Sequence, residues 1–169
     1  DNRAFQLIIA VKLAQLIGIS AATGGLIFFF ARVIDVPLTI LPVFGLATTV
    51  AVFVSTPVLL WVGRHLGKKV GYALSAGITG LAALSWMFAQ PGDPTWMVLL
   101  RGFFLGIAFA GNVMFAMSML TDAMEVDWHR TGMRREGMYS ALYSFVEKLA
   151  MSIGPLILGG ALSVAGFDP

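Results

Sequence analysis

Five apolar stretches, at about residues 5–30, 37–62, 70–89, 96–120 and 138–165, dominate the chain. Each reaches or exceeds the ~20 residues that a helix needs to cross a ~30 Å hydrocarbon core. Buried helices of soluble proteins seldom follow one another five times at this length. A backbone inside lipid must satisfy its own hydrogen bonds, so only helices or barrel strands can span. Barrel strands would alternate polar and apolar residues, and these stretches do not. The composition agrees: 58% of residues are hydrophobic and 12% charged, where soluble domains carry ~25% charged residues. The expected fold is all-α, a polytopic helical membrane protein with five transmembrane helices.

Breakers mark the connections. Asp35-Val36-Pro37 separates the first two spans, Gly63-Arg64-His65-Leu66-Gly67-Lys68-Lys69 the next two, and Gln90-Pro91-Gly92-Asp93-Pro94 forms a tight polar turn. The last connection, residues 125–137, is longer and dense in charge. With no low-complexity linker, residues 1–169 are expected to form one bundle. The chain starts at Asp1 without a signal-peptide pattern, so a piece of a longer protein is expected.

Orientation follows from the basic residues. Connections alternate sides, and one side collects Arg3, Arg64, Lys68, Lys69, Arg130, Arg134 and Arg135, while the other has Arg32 near a helix end. The basic side is expected to be cytoplasmic. The N-terminus of this chain would then be inside and Phe167-Asp168-Pro169 outside.

The costly residues are the polar ones within the spans. Lys148 lies about ten residues inside the fifth span, ~15 Å deep at 1.5 Å per residue. An ammonium there costs at least ~2.5 kcal/mol, so it is expected to face the bundle interior, a carboxylate on another helix or a wet cavity rather than lipid, with a structural ion pair as the alternative. Arg101 and Lys12 sit several residues inside spans and are expected to snorkel to the nearer interface. Asn112 and Gln15 are candidates for a substrate path or for bonds to a neighbouring helix. Small residues such as Gly18, Ala21, Ala22, Gly24 and Gly25 in the first span, and Gly102, Gly106, Ala110 and Gly111 in the fourth, allow close helix approach.

Asp122 and Glu125, spaced i, i+3, share one helix face at the end of the fourth span. Carboxylates at a helix C-terminus oppose the helix dipole and want cations nearby. Arg130, Arg134 and Arg135 supply them from the same connection, and Arg64 and Lys68 from the other loop on that side. The expectation is a cytoplasmic gate, against a plain solvated cap.

Other classes find little support. The chain has two histidines, His65 and His129, both assigned to connections, and no cysteine. No His/Cys/carboxylate cluster has metal spacing, and no phosphate-binding glycine loop follows a strand. An enzyme is not expected, nor a cofactor or a catalytic or metal site. A net charge of +2 does not suggest nucleic acid.

Residues 120–148 carry a resemblance. Thr121-Asp122-Ala123-Met124-Glu125-Val126-Asp127-Trp128, then Arg130-Thr131-Gly132-Met133-Arg134-Arg135-Glu136-Gly137, then Lys148, resemble the glycoside–pentoside–hexuronide:cation symporters, the melibiose permease branch of the major facilitator superfamily. Residues 63–69 resemble the loop between that family's eighth and ninth helices, and Asn2-Arg3-x-Phe5 the entry to its seventh. The resemblance implies helices 7–11 of a twelve-helix fold, part of the C-terminal half. It implies a cation-coupled secondary transporter, a symporter, with a sugar or glycoside as leading substrate class. Lys148 would neighbour a cation site (Na+ or H+) whose acidic ligands lie in the N-terminal half. Expected partners are membrane lipid, that half or a partner membrane protein, and a small-molecule substrate. The expected location is a bacterial cytoplasmic (inner) membrane. The alternatives are a structural or assembly subunit of a larger membrane complex, or a lysolipid carrier of the same family.

Overall fold

The computed structural model describes residues 3–164 and 166, and for residues 3 and 4 the backbone alone. Asn2 and the Arg3 side chain, which open the Asn2-Arg3-x-Phe5 resemblance, and the exit of residues 167–169 lie outside the described residues. Described here are five α-helices: α1 (Arg3–Phe29), α2 (Ile40–His65), α3 (Lys68–Trp86), α4 (Thr95–Thr131) and α5 (Glu136–Val164). A π-helical turn, Phe30–Ile34, continues α1 and ends at Asp35 in the left-handed region, φ 56°.

The all-α architecture matches the expectation. Four of the helices are long and apolar enough to cross a membrane: α1 with its π turn, α2, α4 and α5. The third, α3, is 19 residues long and diluted by Gly, Ser and Thr. It ends at Trp86, three residues before the expected boundary. The largest difference is in α4. The sequence predicts an end near residue 120, with residues 125–137 as a connection. Instead the helix runs for 37 residues, to Thr131. No breaker interrupts Thr121 through Thr131, and the helix stops where Gly132 takes φ 68° and its N–H bonds to the Trp128 carbonyl at 2.8 Å. A side chain would be strained there, so glycine ends the helix. Asp122, Glu125, Asp127, His129 and Arg130 therefore ride on a rigid helix. Pro57 and Pro155 lie inside α2 and α5 without ending either helix.

The chain divides into two compact units, each described by itself. One comprises the described residues of Asp1–Ile27 and Met119–Pro169, so α1 to Ile27, the C-terminal part of α4, and α5. Its core is Phe5, Leu120, Ala123, Tyr139 and Tyr143, with Phe5 edge-on to Tyr139 at 4.4 Å between ring centres. Further along, α1 and α5 touch closely. A Cβ at Gly154 would meet Ser20 and the Ala21 backbone, and the Ser20 hydroxyl donates to the Met151 carbonyl at 3.0 Å. Gly24 and Gly25 receive Leu158, whereas Gly18 faces open space.

The other unit, Phe28–Ser118, holds the π turn, α2, α3 and the N-terminal part of α4. Hydrophobicity gives no drive between helices in lipid, so close fit must hold them. Gly102 faces the Phe44 ring, Gly106 the Thr48 carbonyl and Ala51, and Gly111 Ser75 and Leu59. Phe115 fills the space left by Gly63 and Gly71. At the opposite end Phe30, Phe44 and Trp86 form an aromatic cluster, with ring centres 5.4–6.1 Å apart. The Gln90–Pro94 turn docks there through the Gly92 N–H, which bonds to the Ile34 carbonyl at 3.3 Å.

Candidate functional site

The candidate site in the first unit centres on α5, which has three faces. Tyr139, Tyr143, Val146, Ala150 and Gly154 are buried. Met138, Leu142, Phe145, Leu149 and Leu156 form an exposed apolar face suited to lipid. A second exposed strip carries Ser140, Ser144, Lys148 and Ser152 at every fourth position, with Met151 exposed within it and Ser152 bordering the apolar face. The Ser152 hydroxyl donates to the Lys148 carbonyl at 3.0 Å. Lys148 thus stands on the surface of its unit, in a polar stripe, and Glu147 beside it is half-buried. The serines were legible from their spacing but were not read as a face.

Gln15 is half-buried on α1. Lys12 corrects an expectation. It does not snorkel outward: it is 5% exposed, with its Nζ 5.3 Å from the centre of the Tyr143 ring. Its alkyl stem lies on the buried face shared with Phe5 and Leu16, and the ring faces its charge.

The charged end of α4 is also in this unit. Asp122 is half-buried and Glu125 exposed. His129 Nε2 lies 3.9 Å from Glu125, an i, i+4 pair that attracts only when the imidazole is protonated. Arg130 is exposed. Arg134 lies over the Trp128 ring at 5.2 Å, and Arg135 donates to the Met133 sulfur at 3.6 Å. A third carboxylate was not singled out from the sequence. Asp127 is 8% exposed, one turn beyond Ala123 on the buried face, and its Oδ2 has no hydrogen-bond partner among the described residues. Reading residues 125–137 as a loop hid it, since register matters only on a helix.

Arg64 and Lys68 lie in the second unit, exposed at the α2–α3 connection. Asn112 is 3% exposed there, and its Nδ2 donates to Thr79 Oγ1 of α3 at 2.8 Å, while Oδ1 has no partner among the described residues. Of the two roles considered for Asn112, the bond to a neighbouring helix is present. Arg101 follows the expected direction but not the expected end. It reaches back to the turn before α4, where its guanidinium meets Asp93 at 2.8 Å and lies 5.4 Å from the Trp86 ring centre. It is 5% exposed, so a carboxylate and a ring replace water. That hydrogen bond from Arg101 holds the Asp93 carboxyl below its ordinary value, against the opposing effect of burial.

Among the described residues no group of three or more His, Cys, Asp or Glu side chains could hold a metal ion. What the two units offer is buried polar contact within helix bundles and one exposed polar face.

Comparison with known proteins places this arrangement. The family described as MFS/sugar transport protein matches residues 1–169. A protein of Synechocystis sp. named as an uncharacterized symporter is 26% identical over 168 residues, which is 99% of this chain and 30% of that protein. The uncharacterized symporter YnaJ of Bacillus subtilis is 30% identical over 127 residues, 73% of this chain and 27% of that protein. The chain therefore spans less than a third of the length of these relatives. No solved structure matches. With helices of membrane-spanning length and a family match over its whole extent, this chain is an integral membrane protein and belongs to the MFS/sugar transport protein family.

Proposed function

We propose that this chain is part of the C-terminal half of a cation-coupled symporter for a sugar or glycoside, a carrier rather than an enzyme. The observation that carries the reading is the polar face of α5. Ser140, Ser144, Lys148 and Ser152 stand exposed beside an apolar face that already suits lipid. An ammonium at this depth is too expensive to leave among acyl chains, so this face belongs against a wet pathway or another helical half. In secondary carriers such a midplane path lies between two bundles that rock about it. Lys148 is then the coupling residue, with the cation (Na+ or H+) held mainly by carboxylates of the other half. The family match and the two symporter-named relatives support the same reading.

On this reading the basic loops face the cytoplasm of a bacterial inner membrane, and the N-terminus of this chain is cytoplasmic. Asp122 and Glu125, with Arg130, Arg134, Arg135, Arg64 and Lys68, serve a gate on that side, and Gln15 and Asn112 tune the walls of the path. The test is Lys148→Ala in the full-length protein. Membrane insertion and yield should stay normal while cation-driven uptake is abolished or uncoupled. Unchanged cation-driven uptake would remove Lys148 from the mechanism.

A further inference from the structure

A cavity of about 330 Å³ opens between α2, α3 and α4 in the second unit. Its walls are Val54, Val58, Leu59 and Val62 of α2, Leu74 and Ile78 of α3, and Phe103 and Ile107 of α4. Ser55 and Ser75 also reach it, but their hydroxyls donate to the carbonyls of Val52 and Gly71 of their own helices. The lining is therefore hydrocarbon in character. Val54, Val58 and Leu74 are exposed, so the groove opens on the surface of its unit. From Val54 to Val62 it follows α2 for roughly 12 Å.

One end of the groove is basic. Val62 and Gly71, which line it, bracket the connection that holds Arg64, His65, Lys68 and Lys69, all exposed. Lys68 sits three residues before Gly71 and seven before Ser75, in register with the groove side of α3. Trp61 is exposed at the same end and stacks on His65 at 4.7 Å. Trp is favoured at the headgroup level of a membrane, and clustered Lys and Arg there attract anionic lipid. An apolar groove that ends at an aromatic and several cations is complementary to one class of molecule.

We propose that this groove seats an acyl chain of an anionic membrane phospholipid, with its headgroup drawn by the summed positive charge of the α2–α3 connection. Lipid tails are as apolar as the helix surfaces, so the slot supplies shape and the loop supplies most of the preference. Phosphatidylglycerol should then be retained over phosphatidylcholine. Each cation near the headgroup contributes about fivefold.

The test uses the full-length protein in nanodiscs of phosphatidylcholine and phosphatidylglycerol, with bound lipid counted by native mass spectrometry. Arg64→Gln with Lys69→Gln should cut retained phosphatidylglycerol at least about tenfold. Val58→Trp, which adds bulk in the slot without touching a charge, should also cut it measurably. Phosphatidylcholine retention should change in neither. If Val58→Trp leaves phosphatidylglycerol unchanged while the charge variant removes it, the loop binds headgroups by charge alone and the groove is not the seat. A photoreactive benzophenone amino acid in place of Val58 gives an independent readout. Crosslinks to phosphatidylglycerol are expected, and crosslinks to a protein segment would show that another helix covers the groove and overturn the proposal.

Discussion

The guanidinium of Arg101 and the carboxylate of Asp93 lie 2.8 Å apart, and they tie α4 to the turn that leads into it. The same turn bonds to Ile34 through the Gly92 N–H, and Trp86 lies beneath the guanidinium. The ion pair, the backbone hydrogen bond and the ring contact together join the π turn, the end of α3 and the start of α4. The pair is partly buried, and removing one partner costs more than removing both, because a lone charge remains. Asp93→Asn should lower the thermal midpoint in detergent by several degrees. Arg101→Met combined with Asp93→Asn should recover most of the loss. Equal midpoints for the single variant and the parent would show that the pair is not structural.

The same pair sets a pH window. The hydrogen bond from Arg101 holds the Asp93 carboxyl below its ordinary value of 3.8. A depressed carboxyl contributes stability that is fully present above the unfolded value and is lost as pH falls through the folded one. The stability difference between the parent and Asp93→Asn should therefore be flat from roughly pH 5 to 8 and shrink only below roughly pH 4. Unfolding midpoints of both proteins across that range would check it. A difference that closes near neutral pH would point to another group.

Glycines that look alike in the sequence should behave oppositely. A Cβ at Gly106 would meet the Thr48 carbonyl and Ala51, and backbone cannot swing aside as a side chain can. Gly106→Ala should cost about 1–3 kcal/mol as α2 is pushed off α4. Gly77 has nothing within 4 Å of such a Cβ. Gly77→Ala should be neutral or stabilising by about 0.5–1 kcal/mol, the usual helix-interior preference. Denaturant or thermal unfolding of the two variants side by side measures the contrast.

Spans were legible because an apolar run of twenty residues has few other solutions. The close approach at Gly102, Gly106 and Gly111 was legible too, since small residues are what bare helix contacts in lipid require. Side-chain destinations were less so. Arg101 and Lys12 both sit a few residues inside spans, and depth alone suggests an outward reach for each. Arg101 stops at Asp93, and Lys12 turns onto Tyr143, a residue about 130 positions away. Depth constrains the cost of a charge but does not name the partner that offsets it. Asp127 failed for another reason. Charge density suggested a loop, and only the absence of a breaker before Gly132 showed that the helix continues and turns Asp127 inward.

Lys12 and Tyr143 should be energetically coupled. An ammonium over a ring in a desolvated setting is worth more than the ~0.5–1 kcal/mol of an exposed pair. A double-mutant cycle on Lys12→Met and Tyr143→Leu should give a coupling of about 1–2 kcal/mol. Tyr143→Phe keeps a ring face and should retain most of it. A coupling near zero would mean that the contact is packing alone.

The proposed gate gives the last prediction. Three carboxylates end α4, and they differ in setting. Glu125 is exposed and lies 3.9 Å from His129, so that pair is weak. Asp122 is half-buried, where a pair is screened less and can bias a two-state equilibrium by more. If the acidic face closes one end of the carrier, neutralising Asp122 should matter more than neutralising Glu125, and both together most. The chain has no cysteine, so single cysteines introduced along the pathway report access without background from this segment. In the full-length protein, Asp122→Asn with Glu125→Gln should raise labelling from the basic side several-fold, with Glu125→Gln alone close to the parent. Added salt should raise labelling of the parent toward the double variant, because screening weakens the same pairs. Labelling rates that match across variants and salt would leave the arginines as topology signals and the carboxylates as a solvated helix end.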